Sequence, residues 1–397
     1  MNYHKSIKMK NFANKTFTKN KIRLIKSGTS YFDLLIKIIS QAKEIIHLQI
    51  YIFDDDYTGK LIIEALKIAA KNNVKIYVIV DGFASQNLPK GLIDNLKKEK
   101  IHFRFFKPFF KNNNFYFGRR LHHKMIVVDT KYALVGGINI ADRYNDVEDI
   151  NAWLDFAVYI EGPITNELNI LCWKTWNGFK ANYVFNPSKI KNILFDFTEN
   201  DSALCKISRN DWVRTKNEIS TTYKEIFEKA EQEITIICSY FIPGTIIRKY
   251  IKIAIKNGVK IRLILANQSD VKIAKFAERW MYDWLLRNKI EIYEYQPTVL
   301  HAKMCVADNI FVTIGSYNIN DISAYASIEL NIDINDKKFA NQVTHILDDI
   351  IAKDCILISK ELYAKTNTIF KRLQNWVCYK IFIITLFLFT FYFKQRE

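Results

Sequence analysis

The sequence lacks cysteines at the spacing of a metal-binding or redox motif. Its six cysteines are scattered singly among 397 residues and form no C-x-x-C pair. Structural zinc sites and disulfide frameworks both depend on such spacings. We therefore expect no metal site and no disulfide scaffold, and we take the thiols to be reduced, as in a cytosolic setting.

Acidic residues are scarce relative to basic ones. The chain has 41 Asp and Glu against 58 Lys and Arg, a net charge of +17. This excess predicts a polyanionic partner, either nucleic acid, anionic lipid or a phosphorylated substrate. The first 32 residues carry eight Lys or Arg, no Asp or Glu, and no apolar segment that would serve as an export signal. We assign residues 1–24 to a basic N-terminal arm, either solvated or lying on an anionic membrane face.

An apolar run long enough to cross a membrane is also missing. Residues 381–393, "IFIITLFLFTFYF", are uncharged, but thirteen residues of helix span only about 20 Å of a hydrocarbon core of ~30 Å. Within the C-terminal helices that we expect over residues 351–397, this run predicts a membrane-associated or shallowly inserted segment.

The chain does contain one motif twice. "RLHHKMIVVDTKYALVGGIN" covers residues 120–139, and "VLHAKMCVADNIFVTIGSYN" covers residues 299–318. Both copies read H-x-K-x4-D, and in both an Asn follows the Asp by ten residues. The shared positions are His122, Lys124, Asp129 and Asn139 in the first copy, and His301, Lys303, Asp308 and Asn318 in the second.

The two motifs lie inside longer repeats. Residues 41–82 and 229–267 share an order of apolar strand, amphipathic helix and apolar strand, and "KNNVKIYVIV" closely matches "KNGVKIRLIL". In the first helix, Leu61 and Ile68 fall on one predicted apolar face. The pattern predicts an α/β fold of βαβ units with mixed, mostly parallel sheets. We expect two halves, residues 25–190 and 205–350, related by pseudo-two-fold symmetry and connected by residues 177–202.

The motif chemistry suits a phosphate. On a strand His122 and Lys124 share one face, whereas His123 points the other way and is given a structural role. Two halves packed about a symmetry axis bring both His-Lys pairs into one pocket with Asn139 and Asn318. Lysines supply charge, Asn amides donate to phosphate oxygens, and no metal or other cofactor is needed. One imidazole can attack phosphorus while the other protonates the leaving alkoxide.

Asp129 and Asp308 complete the candidate catalytic motif. They come five residues after the lysines, on the far side of the strand. We interpret them as structural more than catalytic, binding backbone or turn groups.

On these motifs the chain resembles the phospholipase D superfamily and, more narrowly, the bacterial cardiolipin synthases, in a short form without N-terminal transmembrane helices. The resemblance covers about residues 22–370 and includes "WLDFAVYIEGP" and "SIELNID". It implies a duplicated phospholipase D-like fold, a phosphohistidine on His122, and His301 as general acid and then base. It also implies that Asp155 and Glu329 orient the imidazoles. His123 stands where the family usually has Arg.

The resemblance further implies the substrate. It predicts transfer of a phosphatidyl group between two phosphatidylglycerols, giving cardiolipin and glycerol, at the cytoplasmic side of the cell membrane, with no nucleic acid partner. Two alternatives stay open. A phospholipase D-type phosphodiesterase or nuclease would suit the charge and the aromatic and basic residues 103–120, "FRFFKPFFKNNNFYFGRR". A catalytically inactive, membrane-bound scaffold is the other.

Overall fold

A computed structural model describes residues 17–107, 119–179, 194–195, 197–198 and 201–394, with side chains through residue 385. Most of the aromatic and basic stretch, and most of the predicted connection at 177–202, lie outside these residues. The strands are β1 (Thr18–Lys26), β2 (Ile45–Ile50), β3 (Lys75–Asp81), β4 (His102–Phe106), β5 (Arg120–Leu121), β6 (Met125–Val128), β7 (Tyr132–Gly136), β8 (Phe156–Glu161), β9 (Ser202–Asp211), β10 (Lys216–Asn217), β11 (Glu233–Cys238), β12 (Lys260–Ala266), β13 (Glu291–Tyr295), β14 (Lys303–Ala307), β15 (Phe311–Gly315), β16 (Ser327–Asn335) and β17 (Cys355–Leu357). The helices are α1 (Thr29–Ser40), α2 (Tyr57–Lys71), α3 (Lys90–Lys98), α4 (Ile164–Trp176), α5 (Glu218–Lys229), α6 (Thr245–Lys256), α7 (Lys272–Arg287), α8 (Asp321–Tyr325), α9 (Lys337–Asp354), α10 (Lys360–Thr366) and α11 (Ile369–Lys394).

The strand order repeats about the centre of the sheet. From β1 outward the first half runs β1-β8-β7-β6-β2-β3-β4, and from β9 outward the second runs β9-β16-β15-β14-β11-β12-β13. The halves join where β1 pairs antiparallel with β9. This arrangement confirms the predicted duplicated α/β fold.

The sheet is mixed, as predicted, but the expectation that it is mostly parallel is wrong. Parallel pairing is confined to β2-β3-β4, to β11-β12-β13 and to the short β5–β16 contact. The other pairs are antiparallel, because only three strands in each half are linked by helical crossovers. The strands also form one continuous sheet across the β1–β9 junction instead of two separate sheets.

The range 1–24 predicted for the N-terminal arm overlaps the folded body. Strand β1 begins at Thr18, inside the range 1–24, and Ile22 is buried in the core. β1 pairs with β8 of the first half as well as with β9 of the second, so it belongs to the folded body. The other predicted domain boundaries stay predictions.

Three apolar clusters make up the core. The first lies against α1 and α2, and the third lies against α5, α6 and α7. The second cluster contains residues of both halves, such as Val127 from β6 and Ile314 from β15, covered by Leu168 of α4 and Leu347 of α9. Each fully buried aliphatic side chain contributes roughly 1.5–3 kcal/mol to stability. The shared cluster therefore fixes the two halves, and the two motifs, relative to each other.

The C-terminal segment forms one helix in the described backbone. Helix α11 extends over 26 residues, Ile369–Lys394, packs along α7 and touches α8. Among the described residues, no helix is both long and apolar enough to span a membrane.

Candidate active site

Three of the four H-x-K residues lie just outside the strands on which they were predicted. His122 and Lys124 lie in the connection between β5 and β6, and His301 lies two residues before β14, whose first residue is Lys303. Backbone bonds from the other half hold both histidines. His122 N donates to Ile328 O at 3.0 Å, and His301 N donates to Leu154 O at 2.8 Å. Each histidine is thus held by a backbone carbonyl of the opposite half, and the two motifs meet where the halves contact each other.

Each imidazole is also bonded to a carboxylate of the opposite half. Nδ1 of His122 lies 2.8 Å from Oε2 of Glu329, and Nδ1 of His301 lies 2.6 Å from Oδ2 of Asp155. Both carboxylates are fully buried. A carboxylate at Nδ1 selects the tautomer with its proton on that atom and leaves the lone pair of Nε2 for chemistry.

Small residues of the motifs lie directly against the two buried carboxylates. A Cβ atom at Gly137 would lie 2.3 Å from Oδ1 of Asp155, so only glycine admits this carboxylate. The equivalent residue of the second motif, Ser316, donates its hydroxyl to Oε2 of Glu329. The residue two positions before the motif Asn thus contacts the buried carboxylate in both halves.

The lysines take equivalent positions. Lys124 Nζ donates to His122 O at 2.9 Å, and Lys303 Nζ donates to His301 O. Lys303 Nζ also lies 4.0 Å from Oδ2 of Asp155. Because an ammonium has three N–H groups, each lysine retains donors for an anion in the site.

The asparagines differ between the halves. Oδ1 of Asn139 accepts from Ile52 N at 3.0 Å, and its Nδ2 donates to the hydroxyl of Tyr144 at 2.9 Å. Oδ1 of Asn318 accepts from the hydroxyl of Ser239 at 2.8 Å. Among the described residues Nδ2 of Asn318 has no bonded partner, so this amide is the better placed to donate to a phosphate.

Asp129 and Asp308 lie away from this constellation. Oxygens of Asp129 accept from the backbone N–H groups of residues 43–45, at 2.7–2.8 Å. Asp308 accepts from those of residues 231–233 at 2.8–2.9 Å. Each carboxylate thus holds the chain where β2 or β11 begins. These contacts are consistent with the predicted structural role of both residues, which stays a prediction.

Several site residues are not apparent from the motifs. The ring of Tyr51 stands edge-on to the His122 ring with centroids 4.7 Å apart, and the ring of Tyr144 stands edge-on to His301 at 5.2 Å. Asp81 is fully buried and accepts from Leu121 N at 2.9 Å, which holds the backbone just before His122. Tyr51 follows β2 and Asp81 is the last residue of β3, and a strand-end position is the signal that could have identified them.

His123 faces away from the site, as predicted. It is fully buried, and its Nδ1 lies 3.0 Å from Oε1 of Gln49. Burial lowers the pKa of His123 to about 3. This imidazole is therefore neutral at pH values well above 3.

Burial dominates the electrostatics of the site. It lowers the pKa values of His122, Lys124, His301 and Lys303, because little water is present to stabilise their charged forms. The positive charges of Lys303 and Lys124 lower the pKa of His301 further, so both halves act on one site. Burial raises the pKa of Asp155 to about 7. An anion among these cations would offset the cost of their burial.

Among the described residues, no cluster of three or more His, Cys, Asp or Glu side chains has the arrangement of a metal site.

Comparison with known proteins agrees with this geometry. The model of the family described as "Cardiolipin synthase, PLD-like domain" matches residues 35–165 and 223–351. Cardiolipin synthase B of Shigella flexneri is 28% identical over 361 residues, which cover 87% of this chain and 84% of that protein. A cardiolipin synthase of Clostridium perfringens (strain SM101 / Type A) is 28% identical over 382 residues, covering 92% and 78%.

A solved structure shares the fold. Phosphatidylserine synthase of Haemophilus influenzae superposes with a TM-score of 0.72 over 96% of this chain and 98% of that one, at 13% identity. The duplicated sheet and the exchanged His-carboxylate pairs thus define an enzyme of the phospholipase D-like, phosphatidyltransferase class. The chain belongs to the cardiolipin synthase family of PLD-like domains.

Proposed function

We propose that this enzyme transfers a phosphatidyl group from one phosphatidylglycerol to a hydroxyl of another, forming cardiolipin and releasing glycerol through a phosphohistidine. The observation that carries the proposal is the exchange of carboxylates. Glu329 fixes the His122 ring and Asp155 fixes the His301 ring, so one site presents two oriented imidazoles. Two such groups allow a two-step displacement at phosphorus.

In the first step, Nε2 of His122 attacks the phosphorus of phosphatidylglycerol. His301 enters the cycle as an imidazolium whose Nδ1–H is bonded to Asp155. The bond from phosphorus to the glycerol oxygen breaks, and Nε2 of His301 gives that oxygen a proton. In the second step, His301 takes the proton from a hydroxyl of the second phosphatidylglycerol. That oxygen attacks phosphorus, and the bond to His122 breaks. Each proton lost from His301 is regained in the cycle, so no other reactant is required.

Lysine charge stabilises the phosphorane-like transition state of both steps. Lys124 and Lys303 are each 2% exposed and keep donors beyond those used by the backbone. Nδ2 of Asn318 adds a neutral donor. Donors held in place in a dry site stabilise developing negative charge more strongly than the same groups in water.

The lipid preference is supported by the relatives, since both compared sequences are named cardiolipin synthases. The net charge of +17 suits an anionic membrane surface on the cytoplasmic side. Helix α11 touches α8, and Ser323 of α8 bonds the backbone of Asn318. A membrane contact through α11 would thus bring the site close to its substrate.

The test is a lipid turnover assay. Purified enzyme is mixed with phosphatidylglycerol vesicles, with and without phosphatidylethanolamine, and the products are identified by mass spectrometry. Cardiolipin and free glycerol are expected, and both should be lost in His122→Ala. Phosphatidic acid alone would show a hydrolase. Cleavage of DNA without any lipid product would show the nuclease, and full turnover by both His122→Ala and His301→Ala would contradict the mechanism.

A further inference from the structure

A second cation-rich cavity lies between the C-terminal helices and the second half. It has a volume of about 540 Å³ and is enclosed by α6, α7, α10 and α11. Among the described residues that line it, Asp283 is the one acidic side chain. The four basic side chains are Arg248, Arg287, Lys360 and Arg372. A cavity with this charge excess favours an anion.

Three of these cations are not neutralised by the protein. Arg287 forms an ion pair with Asp283 at 2.7 Å. Within the described part of the chain, Arg248, Lys360 and Arg372 form no ion pair. Nε of Arg248 is in addition buried without a hydrogen-bond partner. A buried guanidinium N–H without an acceptor is costly, and a phosphate oxygen is the acceptor that guanidinium groups bind best.

The rest of the lining is aromatic. Trp280 and Trp284 of α7 line the cavity with Tyr379 of α11, and the rings of Trp280 and Tyr379 lie 6.5 Å apart. Tryptophan and tyrosine are typical of the level at which headgroups meet acyl chains. The lining therefore suits an amphiphile better than a free inorganic anion.

Helix α11 separates this cavity from an exposed apolar surface. On its inner face Asn375 is buried and Tyr379 lines the cavity. Its outer face, at the spacing of successive helical turns, leaves large apolar side chains exposed: Phe370, Leu373, Val377, Ile381 and Ile384, with exposed fractions of 81%, 59%, 39%, 47% and 57%. A helix lying in a membrane interface buries such a face to a depth of about 5–10 Å, which places its sides among the headgroups.

The cavity is distinct from the histidine site. Asp270, whose negative charge acts on His301, precedes α7, whereas the cavity is lined by the last turns of that helix. At 1.5 Å per residue the two regions are roughly 15 Å or more apart along α7.

We infer that this cavity binds the phosphodiester headgroup of an anionic phospholipid that remains in the membrane. The lipid is a docking ligand and is not consumed, while α11 lies in the interface with its apolar face toward the acyl chains. The inference rests on the proposed function only in assuming that the enzyme acts at a membrane surface.

The test measures vesicle binding without turnover. The full chain carrying His122→Ala is sedimented at low ionic strength with phosphatidylcholine vesicles that contain or lack phosphatidylglycerol. The further change R248Q/R372Q should lower the partition coefficient for phosphatidylglycerol vesicles on the order of 10- to 30-fold, since each cation near an anionic surface adds about fivefold. Its melting temperature, compared with that of the parent, verifies the fold.

The matched control is K97Q/K98Q. Both lysines are exposed on α3 of the first half, so the change removes the same formal charge elsewhere. Binding by this control should change less than about twofold. Equal losses in both double variants would show general electrostatic attraction and overturn the site. Displacement by inorganic phosphate beyond that by sodium chloride of equal ionic strength would show a free-phosphate site and overturn the lipid assignment. Because catalysis is absent throughout, failure of the proposed reaction and failure of this site are separate outcomes.

Discussion

Nδ1 of His301 lies 2.6 Å from Oδ2 of Asp155, although the two residues are 146 positions apart and belong to different halves of the sheet. His122 and Glu329 form the reciprocal pair at 2.8 Å. Neither half by itself contains both members of a His-carboxylate pair. The duplication therefore places the imidazole of each half against a carboxylate of the other.

The first prediction concerns these carboxylates. Asp155→Asn and Glu329→Gln keep the shape of the side chain but remove the acceptor that fixes the imidazole tautomer. We expect turnover to fall about 10³- to 10⁴-fold in each, with a much smaller change in KM, by analogy with the acid of a Ser-His-Asp triad. Initial rates over a range of lipid concentrations separate kcat from KM. Glu64→Gln, at an exposed residue of α2, is the control and should keep full activity. Full turnover in both site variants would show that the carboxylates do not orient the histidines.

The second prediction is that Asp155 reduces stability above neutral pH. Burial raises its pKa from 3.8 to about 7. A group whose pKa is higher in the folded state than in the unfolded state stabilises the protein below the unfolded value, and that stability is lost as pH rises to the folded value. The wild type therefore loses stability between about pH 4 and pH 7 through this residue, whereas Asp155→Asn does not.

The measurement is urea unfolding at pH 5 and pH 8. The free energy of unfolding of Asp155→Asn, relative to wild type, should be higher at pH 8 than at pH 5 by at most about 3 kcal/mol, because roughly two pKa units of the shift fall between these pH values, at 1.36 kcal/mol per unit. A relative stability that is independent of pH would show that Asp155 has an ordinary pKa. Asp155→Asn would then have lost activity without the gain in relative stability at pH 8 that we expect.

The motifs and the repeat predicted the duplicated α/β fold, whereas the roles of the site residues stay predictions. The H-x-K spacing and the repeat were enough to expect that His122 and His301 share one pocket. Periodicity did not give the correct face of α2, where Ile68 is 57% exposed and Ile62 and Leu66 are buried. This helix has apolar residues on more than one side, and only packing against the sheet decides which of them are covered.

The other features that the sequence did not predict depend on contacts between residues far apart in the chain. Antiparallel pairing of β1 with β8 and β9 joins segments that no local pattern relates. Tyr51 and Tyr144 flank the histidines through ring contacts whose geometry exists only after the halves meet. Asn139 and Asn318 are equivalent in sequence, yet Nδ2 of Asn139 already donates a hydrogen bond to the Tyr144 hydroxyl. The residue five positions after Asn318 is Ser323, and that difference becomes visible only in three dimensions.

The third prediction is a shift in the acidic limb of the pH profile. Burial lowers the pKa of His122 below 6.5; the charge of Glu329 raises it, and that of Lys124 lowers it. The nucleophile must be neutral, so the acidic limb of kcat/KM should lie below pH 6.5 in the wild type. In Glu329→Gln the limb should move to lower pH, and in Lys124→Gln it should move to higher pH. Residual activity of each variant is measured across the range. Shifts in the same direction in both variants would mean that the limb reports another group.

The last prediction separates the two asparagines. Nδ2 of Asn318 is the amide available to a phosphate, so Asn318→Ala should lower kcat/KM about 10- to 100-fold, as expected for loss of one oriented donor to a developing charge. Asn139→Ala instead leaves Ile52 N and the Tyr144 hydroxyl without their buried partner. Each such loss costs about 1–3 kcal/mol, so this variant should unfold at clearly lower urea concentration.

Activity and unfolding are measured on both variants at a temperature where both are folded. The expected pattern is a large catalytic defect with a smaller stability loss in Asn318→Ala, which leaves the Ser239 hydroxyl without its partner. Asn139→Ala, which removes two partners, should show the larger stability loss and the smaller catalytic loss. The reverse pattern would place the phosphate against the first motif instead of the second. Equal catalytic losses with equal stability would mean that both amides reach the phosphate, and that the Asn139–Tyr144 bond opens when substrate binds.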